Sequence, residues 1–311
     1  VGLLNSHAKD LEKLMPGKVM WDRPLARFTT LRVGGPAEAV VTADSAVELA
    51  RLLQWLRANN IACHVIGNGS NILVPDEGLA GVVVMLGKGM AAIEIVGTKE
   101  EKILVQAGAG CRLGRLIASC AEQGISGLEF MVNIPGSVGG AIVMNAGCWG
   151  REIGDVLDAV TMLTPAGELL SRPRAELNFS YRQWGGSKDT VIISGIFALA
   201  KGDPKEIRAT CREYCRKRKG KQPQQMACAG SFFKNPPGQA AGRLIEEAGL
   251  KGRRVGGAMV SPLHANFIVN TGTATAADIL ALAQLVQNAV YDRSGIMLEP
   301  EVHILSNNGD L

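Results

Sequence analysis

No apolar run in this sequence approaches the roughly 20 residues that a helix needs to cross a bilayer, so no membrane span is expected. The first residues also lack the charged-then-apolar layout of a secretory signal. There is no internal repeat at a solenoid period. Walker-type phosphate loops are missing: Gly17-Lys18, Gly87-Lys88 and Gly220-Lys221 lack both the upstream glycine spacing and the following Ser or Thr. Strong charge of one sign is missing too. The 33 Lys and Arg against 29 Asp and Glu leave a net +4, too little to argue for nucleic acid and compatible with a small anionic substrate. The seven cysteines are odd in number and scattered, several inside apolar or helical patterns, and read as reduced core thiols of a cytoplasmic protein. Cys211 and Cys215 stand one helical turn apart, but no second pair or nearby His completes a metal site, and none is expected.

What is present is an ordinary globular composition, 47% hydrophobic and 20% charged over 311 residues, long enough for two or three packed domains. The 38 glycines fall largely at the ends of apolar runs, where tight turns and close backbone approach to a ligand are expected. A strand around Leu31–Val41, a helical stripe Val47, Leu49, Leu52, Leu53 and Leu56 capped by Ser45, and a buried strand Ala62–Ile66 make a β-α-β start. Strands dominate from Gly81 to Gly108, with Gly97–Glu101 as a hairpin turn, and a helix follows from about Arg112 to Gln123. A boundary is placed at Gly202-Asp203-Pro204, before a charged helix. Beyond it come a strand at Gly230–Lys234, a helix at Ala240–Ala248 and a strand at Ala265–Asn270. The next helix is capped by Thr275 and Asp278 and stops at Gly295. The class is α+β.

Two glycine-rich loops carry the strongest chemical signal. Gly67-Asn68-Gly69-Ser70-Asn71 follows a strand and contains no Lys, so it can hold phosphate only through main-chain N–H groups and short polar side chains. Ile134-Pro135-Gly136-Ser137-Val138-Gly139-Gly140 opens an apolar segment in the same style. Gly108-Ala109-Gly110-Cys111-Arg112-Leu113-Gly114 approximates a dinucleotide fingerprint, but a hairpin precedes it and the last spacing is one residue too long. Tight-turn glycines are the reading adopted. The basic run Arg216–Lys221 lacks interleaved aromatics and reads as a solvated helix end that also attracts a diphosphate.

Thr29–Ala37, Gly67–Asn71, Ile134–Ala141 with Asn145-Ala146-Gly147, Ser180-Tyr181-Arg182, Ala229–Pro236 and Leu298–Val302 together resemble one family in order and spacing. It is the UDP-N-acetylenolpyruvoylglucosamine reductase (UDP-N-acetylmuramate dehydrogenase) family. The resemblance implies a vanillyl-alcohol-oxidase-type (PCMH-type) FAD-binding fold of two subdomains, 1–80 and 81–201, with a C-terminal α+β substrate-binding domain, 202–311. It further implies non-covalent FAD, NADPH as co-substrate and a cytoplasmic small-molecule enzyme of cell-wall synthesis, without nucleic-acid or membrane partners. Carried over by motif, it places the cofactor on Gly67, Asn68, Gly69, Ser70 and Asn71, and on Pro135, Gly136, Ser137, Gly139, Gly140, Ala141 and Asn145. It makes Arg182, Ser231 and Glu301 the catalytic group and gives Asn235 and Lys221 to the UDP-sugar.

Chemistry agrees with those roles. Adding hydride to an enolpyruvyl ether builds charge that a permanent guanidinium stabilises, which suits Arg182. A proton must then arrive from a fixed direction, and Ser231 can deliver it to an enolate-like carbon if water is excluded by Phe232 and Phe233. Only Gln183–Asp189 separates Arg182 from the next strand, so the chain resembles the compact form of the enzyme, without the tyrosine-bearing insertion. Attachment of the flavin to Cys148, an oxygen-using oxidase of the same fold, and a colourless nucleotide-sugar-binding regulator are the alternatives.

Overall fold

The computed structural model describes residues 2–3, 5–223 and 225–307. Packing divides the chain into two compact units. The first comprises Val1–Trp21, Ala39–Asn68 and Gly81–Arg216, and the second Asp22–Glu38, Gly69–Ala80 and Lys217–Leu311. Neither is a continuous stretch, unlike the consecutive segments 1–80, 81–201 and 202–311 read from the sequence. Long-range strand pairing is one reason: in the second unit Ile72 and Leu73 run parallel to His303 and Ile304.

The β-α-β start forms, but its first strand, expected around Leu31–Val41, lies at Pro36–Ala43 and is counted with the first unit from Ala39 onward. Pro36–Ala43, the helix Ala46–Ala58 and Cys63–Ile66 follow one another, and Cys63–Ile66 lies parallel to Val82–Met85. Ser45 caps the helix by accepting from the Glu48 N–H (3.2 Å), while Leu49, Leu52 and Leu56 bury its stripe. Each such fully buried side chain contributes about 1.5–3 kcal/mol. The larger sheet is antiparallel, in the order Leu169–Pro173, Leu157–Leu163, Val191–Lys201, Lys102–Gly108, Ile93–Lys99. The helix Leu113–Glu122 buries Leu113, Leu116, Ile117 and Cys120 in the hydrophobic core shared with this sheet. The hairpin turn read at Gly97–Glu101 narrows to its last two residues. Lys99 pairs with Lys102, so Glu100 and Glu101 form the turn with φ of 48° and 63°, and Gly97 marks a bulge.

In the second unit a four-stranded antiparallel sheet runs Ala227–Cys228, Ile268–Asn270, Ala258–Val260, Arg254–Val255. The helix Ala276–Ser294 buries Ile279, Leu282, Val286 and Val290. Thr275 and Asp278 form its capping box, worth about 1 kcal/mol, and Gly295 ends it in the left-handed region. A second carboxylate adds to that cap: Asp76 accepts from the Ala276 and Ala277 N–H groups at 2.7 and 2.9 Å. The strand expected at Gly230–Lys234 does not form as a regular ladder. Its N–H groups go elsewhere, and only an isolated bridge between Phe233 and Pro300 remains.

Candidate active site

The two glycine-rich loops meet inside the first unit. A β-carbon at Gly67 would overlap the Ser137 hydroxyl and come 3.9 Å from the Gly140 Cα. Glycine is what allows the loops this close. Ser137 is itself fixed, because it caps the short helix Val138–Val143 by accepting from the Gly140 N–H (3.3 Å). The 136–139 segment is tied to the Ala109–Leu113 loop by main-chain bonds. Leu113 N–H donates to the Gly136 carbonyl (2.9 Å), Val138 to Cys111 (2.8 Å) and Gly139 to Ala109 (2.9 Å). The Gly108–Gly114 stretch is thus a platform for the second loop, in line with its reading as a tight turn. Gly67, Pro135 and Gly140 remain exposed and Ala141 is buried. The result is bare main chain free of side chains and of Lys, a surface that fits a diphosphate.

The chain leaves the first unit after Asn68, so Gly69, Ser70 and Asn71 are counted with the second. There Gly69 has φ of +60° and its carbonyl accepts from the Thr30 N–H (2.9 Å). A β-carbon at 69 would overlap the Phe28 carbonyl.

Arg182 belongs to the first unit and sits at φ of +60°, uncommon for a residue with a side chain. Its turn is closed by reciprocal bonds between Ser180 and Gln183 (2.9 and 3.0 Å), and its guanidinium lies 4.8 Å from the Tyr181 ring centre. The turn is anchored from outside. The Asn145 side chain, 1% exposed, donates to the Ser180 carbonyl (2.9 Å) and to a Glu152 carboxylate oxygen (2.6 Å), and accepts from the Gly154 N–H (3.1 Å). Both amide protons of Asn145 are engaged by these two acceptors.

Ser231 and Glu301 lie on neighbouring segments of the second unit. The Glu301 N–H donates to the Phe232 carbonyl (2.8 Å) and the Lys234 N–H to the Glu299 carbonyl (2.8 Å), while the Lys234 ammonium pairs with the Glu299 carboxylate. Each segment is held by an asparagine. Asn266, which the sequence reading missed, accepts from the Phe233 N–H (2.9 Å) and donates to the Phe233 carbonyl (2.8 Å); its own carbonyl accepts from the Phe232 N–H (2.7 Å). Asn71 donates to the Glu301 carbonyl (2.9 Å), and its own carbonyl accepts from the His303 N–H (3.0 Å). Phe232 and Phe233 are buried beside Ser231, edge-on to each other at 5.1 Å.

Of the expected substrate residues, Asn235 accepts from the Ala241 N–H (3.0 Å), which fixes its side chain at the start of the helix Ala241–Glu247. Lys221 is exposed. The basic run around it is not wholly a solvated helix end: Arg218 is 6% exposed, and its Nε is buried without a hydrogen-bond partner. A buried, unpaired guanidinium nitrogen is costly unless an anion completes it. Its neighbours in the basic run are charged and mostly exposed, so nothing in the local sequence marks Arg218 as buried. Burial pushes the thiols of Cys63 and Cys120 up to about 12 and that of Cys211 up to about 11.

Comparison with known proteins separates the same two chemistries. Residues 37–171 match the model of an FAD-binding domain, and residues 222–305 match the UDP-N-acetylenolpyruvoylglucosamine reductase C-terminal domain. Fold and site therefore define an FAD-dependent oxidoreductase built on the PCMH-type flavin fold. UDP-N-acetylenolpyruvoylglucosamine reductase of Syntrophus aciditrophicus is 45% identical over 97% of this chain and 96% of its own, and that of Agathobacter rectalis is 43% identical over 94% and 96%. The crystal structure of the reductase from Thermus caldophilus superposes with a TM-score of 0.81 at 39% identity, covering 93% of this chain and 99% of that one. The chain belongs to the UDP-N-acetylenolpyruvoylglucosamine reductase family. Among the described residues no helix is long and apolar enough to cross a membrane.

Proposed function

We propose that this chain reduces the enolpyruvyl group of UDP-N-acetylglucosamine-enolpyruvate to give UDP-N-acetylmuramate for peptidoglycan precursors, acting in the cytoplasm, with Ser231 as proton donor. Non-covalent FAD supplies the hydride, which it takes from NADPH. The residues of segments 1–80 and 81–201 hold that cofactor, with Gly67–Asn71 and Pro135–Ala141 on its diphosphate, and segment 202–311 covers the substrate.

Hydride addition at the methylene carbon leaves negative charge on the carbon joined to the carboxylate. Arg182 stabilises that charge because its guanidinium stays protonated at any working pH. Ser231 gives its proton to the same carbon. Among the described residues its hydroxyl has no protein hydrogen bond to break first. Glu301, on the adjoining segment, orients the reacting group. Lys221 and Asn235 contact the UDP-sugar, and the orphan Nε of Arg218 fits a nucleotide phosphate.

The observation that carries this reading is the main-chain bond from the Glu301 N–H to the Phe232 carbonyl (2.8 Å), which joins the segment that bears Ser231 to the one that bears Glu301, next to two buried phenyl rings. An anaerobic absorption spectrum tests it. The purified protein should be yellow, bleach with NADPH and recover its colour on adding the enolpyruvyl UDP-sugar. A colourless protein, or one recoloured only by oxygen, contradicts it.

A further inference from the structure

We infer that Asn145 is the positioning residue of Arg182, part of a device in which a distant asparagine amide fixes the main chain at each proposed catalytic side chain. The inference rests on the assignment of Arg182, Ser231 and Glu301 as the catalytic group.

The pattern is the same at all three places. Asn145 grips Ser180, two residues before Arg182; Asn266 grips Phe233, two residues after Ser231; Asn71 grips the carbonyl of Glu301 itself. These are long-range bonds, joining residues 35, 33 and 230 positions apart. A carboxamide suits the task because one short side chain offers donors and an acceptor together. Asp has the shape but lacks the donors.

At Asn145 the geometry goes furthest. One amide proton reaches the Ser180 carbonyl, the other reaches Glu152, and Oδ1 receives Gly154. Gly154 is held in turn, since its carbonyl accepts from Arg174 Nε (2.9 Å), whose guanidinium covers the Phe179 ring at 4.5 Å. The Arg182 turn has a positive φ at its tip and no regular strand to support it. Its carbonyl at Ser180 is a point where a distant part of the unit takes hold. Releasing that carbonyl lets the guanidinium drift, and a displacement of about 1 Å at a reacting centre costs on the order of 100-fold in rate. Asn145 and Glu152 touch Arg182 only through the main chain, so they act on the reaction through it.

The test is a double-mutant cycle on flavin reoxidation by the enolpyruvyl substrate. Asn145→Asp keeps the volume and sets oxygen against the Glu152 carboxylate and the Ser180 carbonyl. It should slow reoxidation about 10- to 100-fold, with flavin content and bleaching by NADPH unchanged. In the Arg182→Ala background the same change should cost less than about 2-fold, because the group it positions is gone. Glu152→Gln, which leaves Asn145 in place and weakens its charge-assisted bond, should give a smaller loss that also vanishes without Arg182. It serves if Asn145→Asp does not fold.

An equal loss in both backgrounds overturns the inference. Loss of flavin from Asn145→Asp overturns it as well and returns Asn145 to the cofactor. If Arg182→Ala alone leaves reoxidation unchanged, the catalytic role of Arg182 is what fails, and the positioning role falls with it.

Discussion

Gly67 lies directly against the hydroxyl of Ser137, so the two glycine-rich loops share one surface and a single added methyl group would collide there. Ser137 cannot turn aside freely, because its oxygen caps the Gly140 N–H. Gly67→Ala should displace that cap at a cost of about 1 kcal/mol. It should also close the bare main chain that fits the cofactor diphosphate. The expected result is a protein that folds but loses FAD on dialysis, read from its absorbance; full flavin retention contradicts this role.

Asn266 answers three main-chain groups from a site 3% exposed. Asn266→Ala leaves the Phe233 N–H and carbonyl unpaired in the interior, at about 1–3 kcal/mol for each group. A loss of roughly 2–6 kcal/mol in urea unfolding is expected, together with slower flavin reoxidation by substrate. A loss below about 0.5 kcal/mol, the usual range for surface changes, contradicts it.

The fold also carries a pH dependence near this segment. Burial lowers the pKa of His264 below its ordinary 6.5, with nearby Lys251 adding to the effect, and His264 Nδ1 accepts from the Asn266 N–H (3.2 Å). A depressed folded value means that the unfolded chain binds the proton first. This contribution to stability is therefore complete above pH 6.5 and declines as the pH falls from 6.5 toward the folded value. Unfolding midpoints measured across that window should drop for the wild type, and His264→Gln should show a shallower fall. An identical slope in the variant rules out His264 as its source.

Arg218 gives a prediction of opposite sign for stability and function. Replacing a buried guanidinium that has an unpaired Nε by Met removes a desolvation cost, so Arg218→Met should leave the melting temperature of ligand-free protein unchanged or raised. The same change removes a charge-assisted bond of about 1.5–3 kcal/mol and should raise KM for the UDP-sugar roughly 10- to 100-fold. If flavin content falls while KM stays constant, the anion belongs to the cofactor. A clear drop in melting temperature shows that the side chain supports the fold.

Local chemistry was legible in the sequence. Ser45, Thr275 with Asp278, and Gly295 cap and end their helices as read, because a cap involves residues only three or four apart. The glycine loops were legible because such dense glycine without Lys has few other uses, and the family motifs marked Arg182, Ser231 and Glu301. What escaped was long-range. Asp76 caps a helix 200 positions away, and Asn266 and Asn71 reach across 33 and 230 residues. No periodicity announces such pairs. Gly230–Lys234 read as a strand because its apolar residues suit one, yet its hydrogen bonds go to an Asn side chain and to the Glu299 carbonyl. Arg218 read as solvated because its neighbours are charged; only packing shows it buried.

The central claim is that hydride and proton reach the substrate from two separate places, the second being the Ser231 hydroxyl. Stopped-flow absorbance of Ser231→Ala tests it most directly. The account predicts that NADPH still bleaches the flavin at the wild-type rate while recolouring by the enolpyruvyl UDP-sugar nearly stops. Recolouring at the wild-type rate would contradict it.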